Sequence, residues 1–427
     1  MTPLFLGIDL GTSGVRACVI DAAGTVHAQS AVPLPPSTHP CTGCSEQRPD
    51  DWWQAVLEVV DALPADCRRA LAGIAVDGTS GTLLLVDRDG EPLGPAWMYD
   101  DRRARAQAER LAAIAPPQAA VHNPSSALAK LLLRLEDGAG QAAHALHQAD
   151  WIAHRLGAPL GLSDENNSLK LGYDPVTRRW PDWLTQTGVP ARLLPRVVPV
   201  GQAIGDLTPA LRDRWGCERP VRLLAGTTDS NAATLATGIR DIGEASTALG
   251  STLVLKVLST RPVFAPEYGV YSHRLGDRWL VGGASNSGGA VLRQFFDEDT
   301  LSTLSERIDP QTDSGLDYYP LPAPGERFPV NDPARLPRIA PRPADDVRFL
   351  HGLLEGIARI EREGYRRLHE LGAPWPSRVL TSGGGAVNAT WRAIRERLLG
   401  VPVVTADCTE AACGTARLAA GLLGSGA

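Results

Sequence analysis

A two-domain α/β architecture, mixed sheets flanked by helices, is what this chain encodes. Three observations carry that expectation. The chain has 427 residues, two to three times the length of an ordinary domain. Short apolar strand patterns alternate with helical ones. A strand, a hydroxyl-rich glycine turn and a second strand open the chain, and the same logic returns at residues 243–255. The expected domains are 1–222 and 223–427.

The first apolar run ends in Asp9 and Leu10, turns through Gly11-Thr12-Ser13-Gly14, and is followed by a second run from Ala17 to Ile20. This reads as a hairpin whose turn is too lean to have been built for packing. Small residues let backbone N–H groups approach an anion, and the hydroxyls of Thr12 and Ser13 add donors. Asp9 would aim a carboxylate at the same place, which makes sense with a divalent cation between carboxylate and phosphate. The spacing is neither G-x-G-x-x-G nor G-x-x-x-x-G-K-[ST]. It resembles the phosphate-1 loop of the actin-like ATPases, which include sugar kinases, heat-shock chaperones and actin.

A proline-rich linker occupies residues 32–50. Asp50 or Asp51 then caps a helical pattern with Trp52, Val56, Val59, Val60 and Leu63 on one face. A strand at 73–76 runs into Asp77-Gly78-Thr79-Ser80-Gly81, and another follows at 82–86. Asp77 suits either a turn cap or a ligand contact. Residues 220–224 form a strand before Ala225-Gly226-Thr227-Thr228-Asp229, and a helix opens at Ser230. Residues 308–346 read as a long irregular excursion. A strong helix follows, with Leu350, Leu353, Leu354, Ile357, Ile360, Tyr365, Leu368 and Leu371 near 3.6-residue spacing and Gly372 ending it. A strand at 378–381 enters Ser382-Gly383-Gly384-Gly385-Ala386-Val387-Asn388, where three glycines let a flat ligand lie against backbone. The last helix begins near Glu410 and runs to Leu423. Its Cys413-Gly414-Thr415-Ala416 segment suggests close approach to a neighbour or ligand.

Composition excludes some functions. A net charge of −6 gives no basic field for nucleic acid. No apolar run reaches the roughly 18 residues of a membrane span. Cytoplasm is the expected setting, because no signal-peptide pattern precedes the first strand. Only Lys130, Lys170 and Lys256 are lysines; arginine supplies nearly all the positive charge. Lys130 lies on an otherwise apolar helix, where a lysine usually snorkels. The Cys41-Thr42-Gly43-Cys44 pair lacks a second pair and reads as a surface loop rather than a metal or redox site.

Taken together, the chain resembles the FGGY-family carbohydrate kinases from Gly7 to Ala420. The Asp9–Gly14 loop, the Asp77–Gly81 turn, the Gly226–Asp229 segment, the Gly250-Ser251-Thr252 hairpin and the Gly383–Asn388 turn occur in the family's order. The resemblance implies two actin-like, ribonuclease H-like domains with a cleft between them. It places the catalytic base at Asp229 and Mg²⁺ at Asp9, so that two acids on opposite lobes meet across the ligands. Gly11, Thr12 and Ser13 would hold phosphate from one side and Gly250, Ser251 and Thr252 from the other. Gly383, Gly384, Gly385 and Asn388 would line the adenosine end of ATP. Asp9, Ser80, Gly81 and Asp229 would contact the sugar.

Within the family, Ser168-Leu169-Lys170-Leu171-Gly172-Tyr173, Gly283-Ala284-Ser285-Asn286 and Leu316-Asp317-Tyr318-Tyr319-Pro320 are similar to the short D-ribulose kinases, also labelled xylulose kinase-like. Classical xylulose kinases carry a Trp-x-Asp-x-Arg segment and a Gln-Met-His segment. Here Tyr99-Asp100-Asp101-Arg102-Arg103 and Gly78-Thr79-Ser80-Gly81 stand in their places. D-ribulose is therefore the expected substrate, with D-xylulose or another polyol as the alternative. A reading from another class is an actin-like or chaperone ATPase. The partners expected are a sugar and ATP, on a monomer or homodimer.

Overall fold

The computed structural model describes residues 2–422, in two compact units. One unit holds residues 2–236, 273–276 and 410–422; the other holds 237–272 and 277–409. The division therefore falls beyond 222/223. The strand Arg222–Thr228 pairs in parallel with Leu71–Gly78 and so belongs to the first unit's sheet.

That sheet runs in the order 203–206, 222–228, 71–78, 4–10, 14–21, 26–33. The strands Leu4–Leu10, Gly14–Asp21 and Val26–Pro33 form an antiparallel meander. Leu71–Gly78 and Arg222–Thr228 extend it in parallel on the other side. Val26–Pro33 carries no apolar run, because it is an edge strand whose residues are all exposed or half-buried. Its His27, Gln29 and Ser30 therefore hide the strand from a hydropathy reading.

The helix Pro49–Asp61 buries Trp52, Val56, Val59 and Val60 completely. Neither Asp50 nor Asp51 caps it. Arg48 holds the cap position without a side-chain bond, Pro49 begins the helix, and the two acids sit in its first turn. There they oppose the positive end of the helix dipole.

The helix Ala411–Ala419 lies so close to the first strand that any side chain at Gly7 would overlap the Ala412 carbonyl. It stops at Ala419, with Gly421 at φ 71° beyond its cap, so it is shorter than expected; Leu423 itself lies outside the described residues. A small second sheet in this unit, built from 46–47, 96–97, 83–86 and 144–147, carries its own apolar cluster with the helix Ala127–Glu136. Cys41 and Cys44 lie side by side in the loop leading to that sheet, their Cα atoms 5.1 Å apart.

In the second unit the strands Arg278–Ser285, Leu253–Ser259 and Glu244–Leu249 are antiparallel, and Arg378–Ser382 and Val403–Thr405 follow in parallel. The strand logic of the first unit is thus repeated. The helix Asp346–Glu370 is capped by Asp345, whose carboxylate accepts from Val347 N at 3.1 Å. Leu350, Leu353, Leu354, Ile357, Ile360, Tyr365 and Leu368 are its buried stripe, and Gly372, at φ 109°, follows its end.

The same helix buries Glu361, which accepts two bonds from Arg395, at 2.6 and 2.7 Å, and one from the Thr247 hydroxyl at 2.6 Å. A buried charge pair is tolerable only when its remaining hydrogen-bonding sites are filled in this way. The irregular excursion is tied back by Glu326, which accepts from Ser285 Oγ at 2.7 Å and Asn286 N at 2.8 Å. Among the described residues no helix is long and apolar enough to cross a membrane.

Candidate active site

Three acids converge at the carboxyl ends of the first unit's parallel strands. Asp9 pairs in register with Asp77, and Asp77 with Thr227 of the strand that delivers Asp229. The outer ends of parallel strands are where open α/β sheets place ligands. The expectation that Asp9 and Asp229 occupy opposite lobes is corrected here. Both belong to the first unit, because the strand before Asp229 completes that unit's sheet.

Gly226 permits this register: a side chain on it would overlap the Val76 carbonyl. Asp229 is the first residue of the helix Asp229–Ala236, and its Oδ1 accepts from Ser230 N at 2.7 Å. Its carboxylate is half-buried. A group there can reach both solvent and a ligand.

Asp9 is only 5% exposed, and burial pushes its pKa up. Asp77 and the Arg16 guanidinium pull it back. Arg16 Nη1 donates to Asp9 Oδ2 at 3.4 Å, and its Nε lies 3.6 Å from Glu410. Asp77 is fully buried, accepts from Thr415 Oγ1, and is driven well above the ordinary carboxylate range by burial and by the charge of Asp9 beside it. Its environment favours the protonated form, which leaves Asp9 as the anion of the pair.

The single Asp9 carboxylate fits a magnesium ion shared with phosphates, since Mg²⁺ usually keeps waters and takes one or two protein carboxylates. No group of three or more His, Cys, Asp or Glu among the described residues offers an all-protein cage.

The Gly11-Thr12-Ser13 turn joins two antiparallel strands, with Gly11 N donating to Gly14 O at 3.0 Å. It is braced from behind. Gln47 Nε2 donates to Thr12 O at 2.8 Å, and Leu34 N to Ser13 O at 2.9 Å. Ser80 is half-buried and Gly81 is buried, at φ 93°.

Lys130 does not snorkel. It is fully buried, and its Nζ donates to Gly81 O at 2.9 Å and Met98 O at 2.5 Å. Burial pushes its pKa down to about 7, against the pull of Asp101. Lys170 Nζ donates to Ser80 O at 2.9 Å; burial lowers its pKa and Asp229 raises it. Asp101 and Arg103 occupy one another. Arg103 donates to both oxygens of Asp101 and, at 2.7 Å, to Glu46, while its guanidinium lies 4.0 Å from the Trp97 ring centre.

In the second unit a cavity of about 600 Å³ is lined by Gly250, Ser251, Gly384, Gly385 and Asn388, with Trp391 and Arg293. Thr252 and Gly383 do not line it. Gly250 N instead donates to Thr252 O at 3.1 Å, closing the hairpin. Gly383, at φ 84°, lies against the Leu249 carbonyl. Asn388 lines the cavity with a side chain already engaged. Its Oδ1 caps the helix Ala389–Leu399 by accepting from Trp391 N, and its Nδ2 donates to Ser305 Oγ.

Arg16, Lys170 and Trp391 carry no role in the sequence reading, and of these only Arg16 was within reach of it. A three-residue turn after Leu10 sets Arg16 directly opposite Asp9, and directly opposed residues share a face.

Comparison with known proteins identifies the family and the fold. The description "FGGY family of carbohydrate kinases, N-terminal domain" fits residues 4–236, and its C-terminal counterpart fits 245–422. The xylulose kinase of Escherichia coli (strain K12) is 27% identical, over 97% of this chain and 89% of that protein. The gluconokinase of Bacillus subtilis (strain 168) is 22% identical, over 97% and 86%. A crystal structure described as a xyloylose kinase from Brucella ovis matches with a TM-score of 0.86 at 27% identity, covering 97% of this chain and 90% of that one. The xylulose kinase from Rhodospirillum rubrum matches in fold with a TM-score of 0.83 at 22% identity, covering 99% and 91%. The reading as a chaperone or assembly ATPase gives way accordingly. With its two domain descriptions spanning nearly all of its length, the chain is a sugar kinase and belongs to the FGGY family of carbohydrate kinases.

Proposed function

We propose that this sugar kinase phosphorylates a ketopentose, converting D-ribulose to D-ribulose 5-phosphate at the expense of ATP. The observation that carries the reading is the Gly78-Thr79-Ser80-Gly81 turn, which follows Asp77 at the strand ends where Asp9 and Asp229 gather. Hydroxyl and backbone groups stand there in place of the Gln-Met-His segment of classical xylulose kinases. A site built to hydrogen-bond sugar hydroxyls rejects analogues lacking them.

Asp229 would accept the proton of the acceptor hydroxyl. A carboxylate of ordinary pKa, ~3.9, is a weak base. It suffices because phosphoryl transfer is loose and the proton leaves late. The Gly11-Thr12-Ser13 and Gly250-Ser251-Thr252 turns would offer donors to the phosphates, and such preorganised donors stabilise transferring charge without rearranging. Asp9 would hold Mg²⁺, which supplies neutralisation of the phosphate oxygens when bound. Gly384, Gly385 and Asn388 would line the adenosine end, while Gly383, outside the cavity, would only shape the turn.

D-xylulose is the second reading, favoured by relatives named xylulose kinase, such as that of Streptomyces coelicolor at 29% identity. Coupled ADP release over D-ribulose, D-xylulose, pentitols, gluconate and glycerol separates the two. The expected result is the highest kcat/KM with D-ribulose; a higher value with any other acceptor overturns the substrate assignment. Asp229→Ala should lower kcat by about 10²–10⁴ while ADP still binds. Near-normal turnover in that variant would remove Asp229 as the base.

A further inference from the structure

Lysine is scarce in this protein. Only 3 of its 42 basic Lys and Arg residues are lysines. Where arginine is the default cation, a position that keeps lysine is one where a compact ammonium does something a planar fork cannot. Two of the three lysines end on the same five-residue turn.

Lys170, from the short helix Asn167–Leu171, donates to Ser80 O at 2.9 Å. Lys130, from the helix Ala127–Glu136, donates to Gly81 O at 2.9 Å. A third brace comes from Gln148 at the start of the helix Gln148–Leu156, whose Oε1 accepts from Thr79 N at 3.1 Å and Thr79 Oγ1 at 2.9 Å. Thr82 N donates to Thr79 O at 3.3 Å.

Peptide units are planar, so fixing one carbonyl or one N–H fixes its whole plane. Gln148 fixes the plane between residues 78 and 79, and the Thr82–Thr79 bond fixes the next. Lys170 fixes the plane between 80 and 81, and Lys130 the one between 81 and 82. Every peptide plane around Ser80 is therefore set, one by the turn's own closing bond and three from other elements. Gly81 is required by the same packing: a Cβ there would lie 2.9 Å from Lys170 Cδ, and its φ of 93° disfavours side chains.

Lys130 does one thing more. Its second bond, to Met98 O at 2.5 Å, ties the turn to the segment that begins Met98-Tyr99-Asp100. Lysine suits this because its three donors radiate from one atom and can meet carbonyls on two separate chains.

We infer that Lys130 and Lys170 are positioning residues for the acceptor sugar, holding the carbonyls of Ser80 and Gly81 so that this turn presents its hydroxyl and backbone groups in one fixed arrangement. The inference rests on the acceptor reading of the Ser80–Gly81 turn. A hydrogen-bonding site gains affinity for its ligand when its groups are fixed beforehand, because nothing is ordered on binding. The lysines therefore act on acceptor affinity and not on the nucleotide.

The test is steady-state kinetics of Lys170→Met, Lys170→Arg and Lys130→Met with the best ketose of the panel, alongside ADP affinity by calorimetry. Lys170→Met is expected to raise the ketose KM at least 10-fold, leave the ATP KM and the ADP affinity within 2-fold, and change kcat less than KM. Lys170→Arg is expected to restore less than half of that loss, because its fork cannot reproduce a single short bond beside Gly81. Should the fully buried Lys130→Met fail to fold, Lys170→Met decides, since its side chain is less deeply enclosed. An unchanged ketose KM, equal losses for ketose and ATP, or full recovery with arginine overturns the inference. Wild-type enzyme inert toward every ketose would instead defeat the substrate reading, so the two failures are told apart before any variant is made.

Discussion

Asp164 carries no expected chemistry, yet through Asn166 and Asn167 it holds the strand end that leads to Asp229. Its Oδ1 accepts from Asn166 N at 2.8 Å and Asn167 N at 2.9 Å, and its Oδ2 from Asn167 Nδ2 at 2.6 Å. Those two asparagines in turn donate to Thr227, Asn166 to the hydroxyl at 2.9 Å and Asn167 to the carbonyl at 3.2 Å. Burial, with the charge of Asp150, pushes the Asp164 pKa from 3.8 up to about 6, despite the three bonds that favour its anion. The native state therefore binds its proton more tightly than the unfolded chain does. Stability from this group is complete below pH 3.8 and is lost as pH rises toward 6. At 1.36 kcal/mol per unit, the loss is about 3 kcal/mol. Asp164→Asn has no proton to lose. Urea unfolding of both proteins at pH 4 and pH 7 should show the wild type falling by about that much more than the variant. Parallel pH profiles would mean that this carboxyl does not titrate in the interval.

The residue scale also shows what could be read in advance. Asp9 and Asp229 stand out in sequence because each acid ends an apolar run beside glycine and hydroxyl residues. Asp77 is as visible, but its meaning is not. Its partner Thr415 lies 338 positions away. Lys170 meets Ser80 across 90 positions. Such pairings are made by topology alone, so no local pattern announces them.

Helix Ala411–Ala419 is the element on which the candidate site is most dependent. It contributes Thr415 to Asp77 and packs against the helix Asp229–Ala236. The two helices approach so closely that a methyl group at Gly414 would overlap the Ala232 carbonyl. The glycine and alanine content that suggested close approach in the sequence has that cause. The neighbour itself was not legible, because the helix belongs to a unit whose remaining residues are mostly two hundred positions earlier. Gly414→Ala forces the helices apart, and overpacking of this kind costs about 1–3 kcal/mol. Since the displaced helix begins with Asp229, kcat should fall as well. Urea midpoints and kcat measured on one preparation check both. A stable variant with normal turnover would show that the helix pair gives way without moving the acid. The strand Val26–Pro33 is the opposite case. Its existence was missed because an edge strand has no buried face to write a pattern.

At the scale of the whole molecule, the two units repeat one strand logic and divide the candidate ligand groups between them. The acids, the Gly11-Thr12-Ser13 turn and the Ser80–Gly81 turn belong to the first unit; the cavity of about 600 Å³ belongs to the second. The duplication was visible as two hydroxyl-rich hairpins, whereas the boundary was misplaced, because a strand that closes one sheet looks in sequence like the start of the next. If recognition is divided in the same way, a change confined to the cavity should touch the nucleotide alone. Gly384 is the position to change. It lines the cavity, and a Cβ built on it meets nothing within 4 Å, so a larger side chain enters open space without straining its surroundings. Gly384→Leu should weaken ADP binding at least 10-fold, through occupied volume. It should leave the thermal midpoint within about 2 °C, as expected of a surface change. Ketose affinity, measured without nucleotide, should not move. ADP affinity within 2-fold of wild type would place the adenosine end elsewhere. A parallel loss of ketose affinity would show that the second unit also shapes the acceptor site, and that division of labour by unit is not how this kinase recognises its substrates.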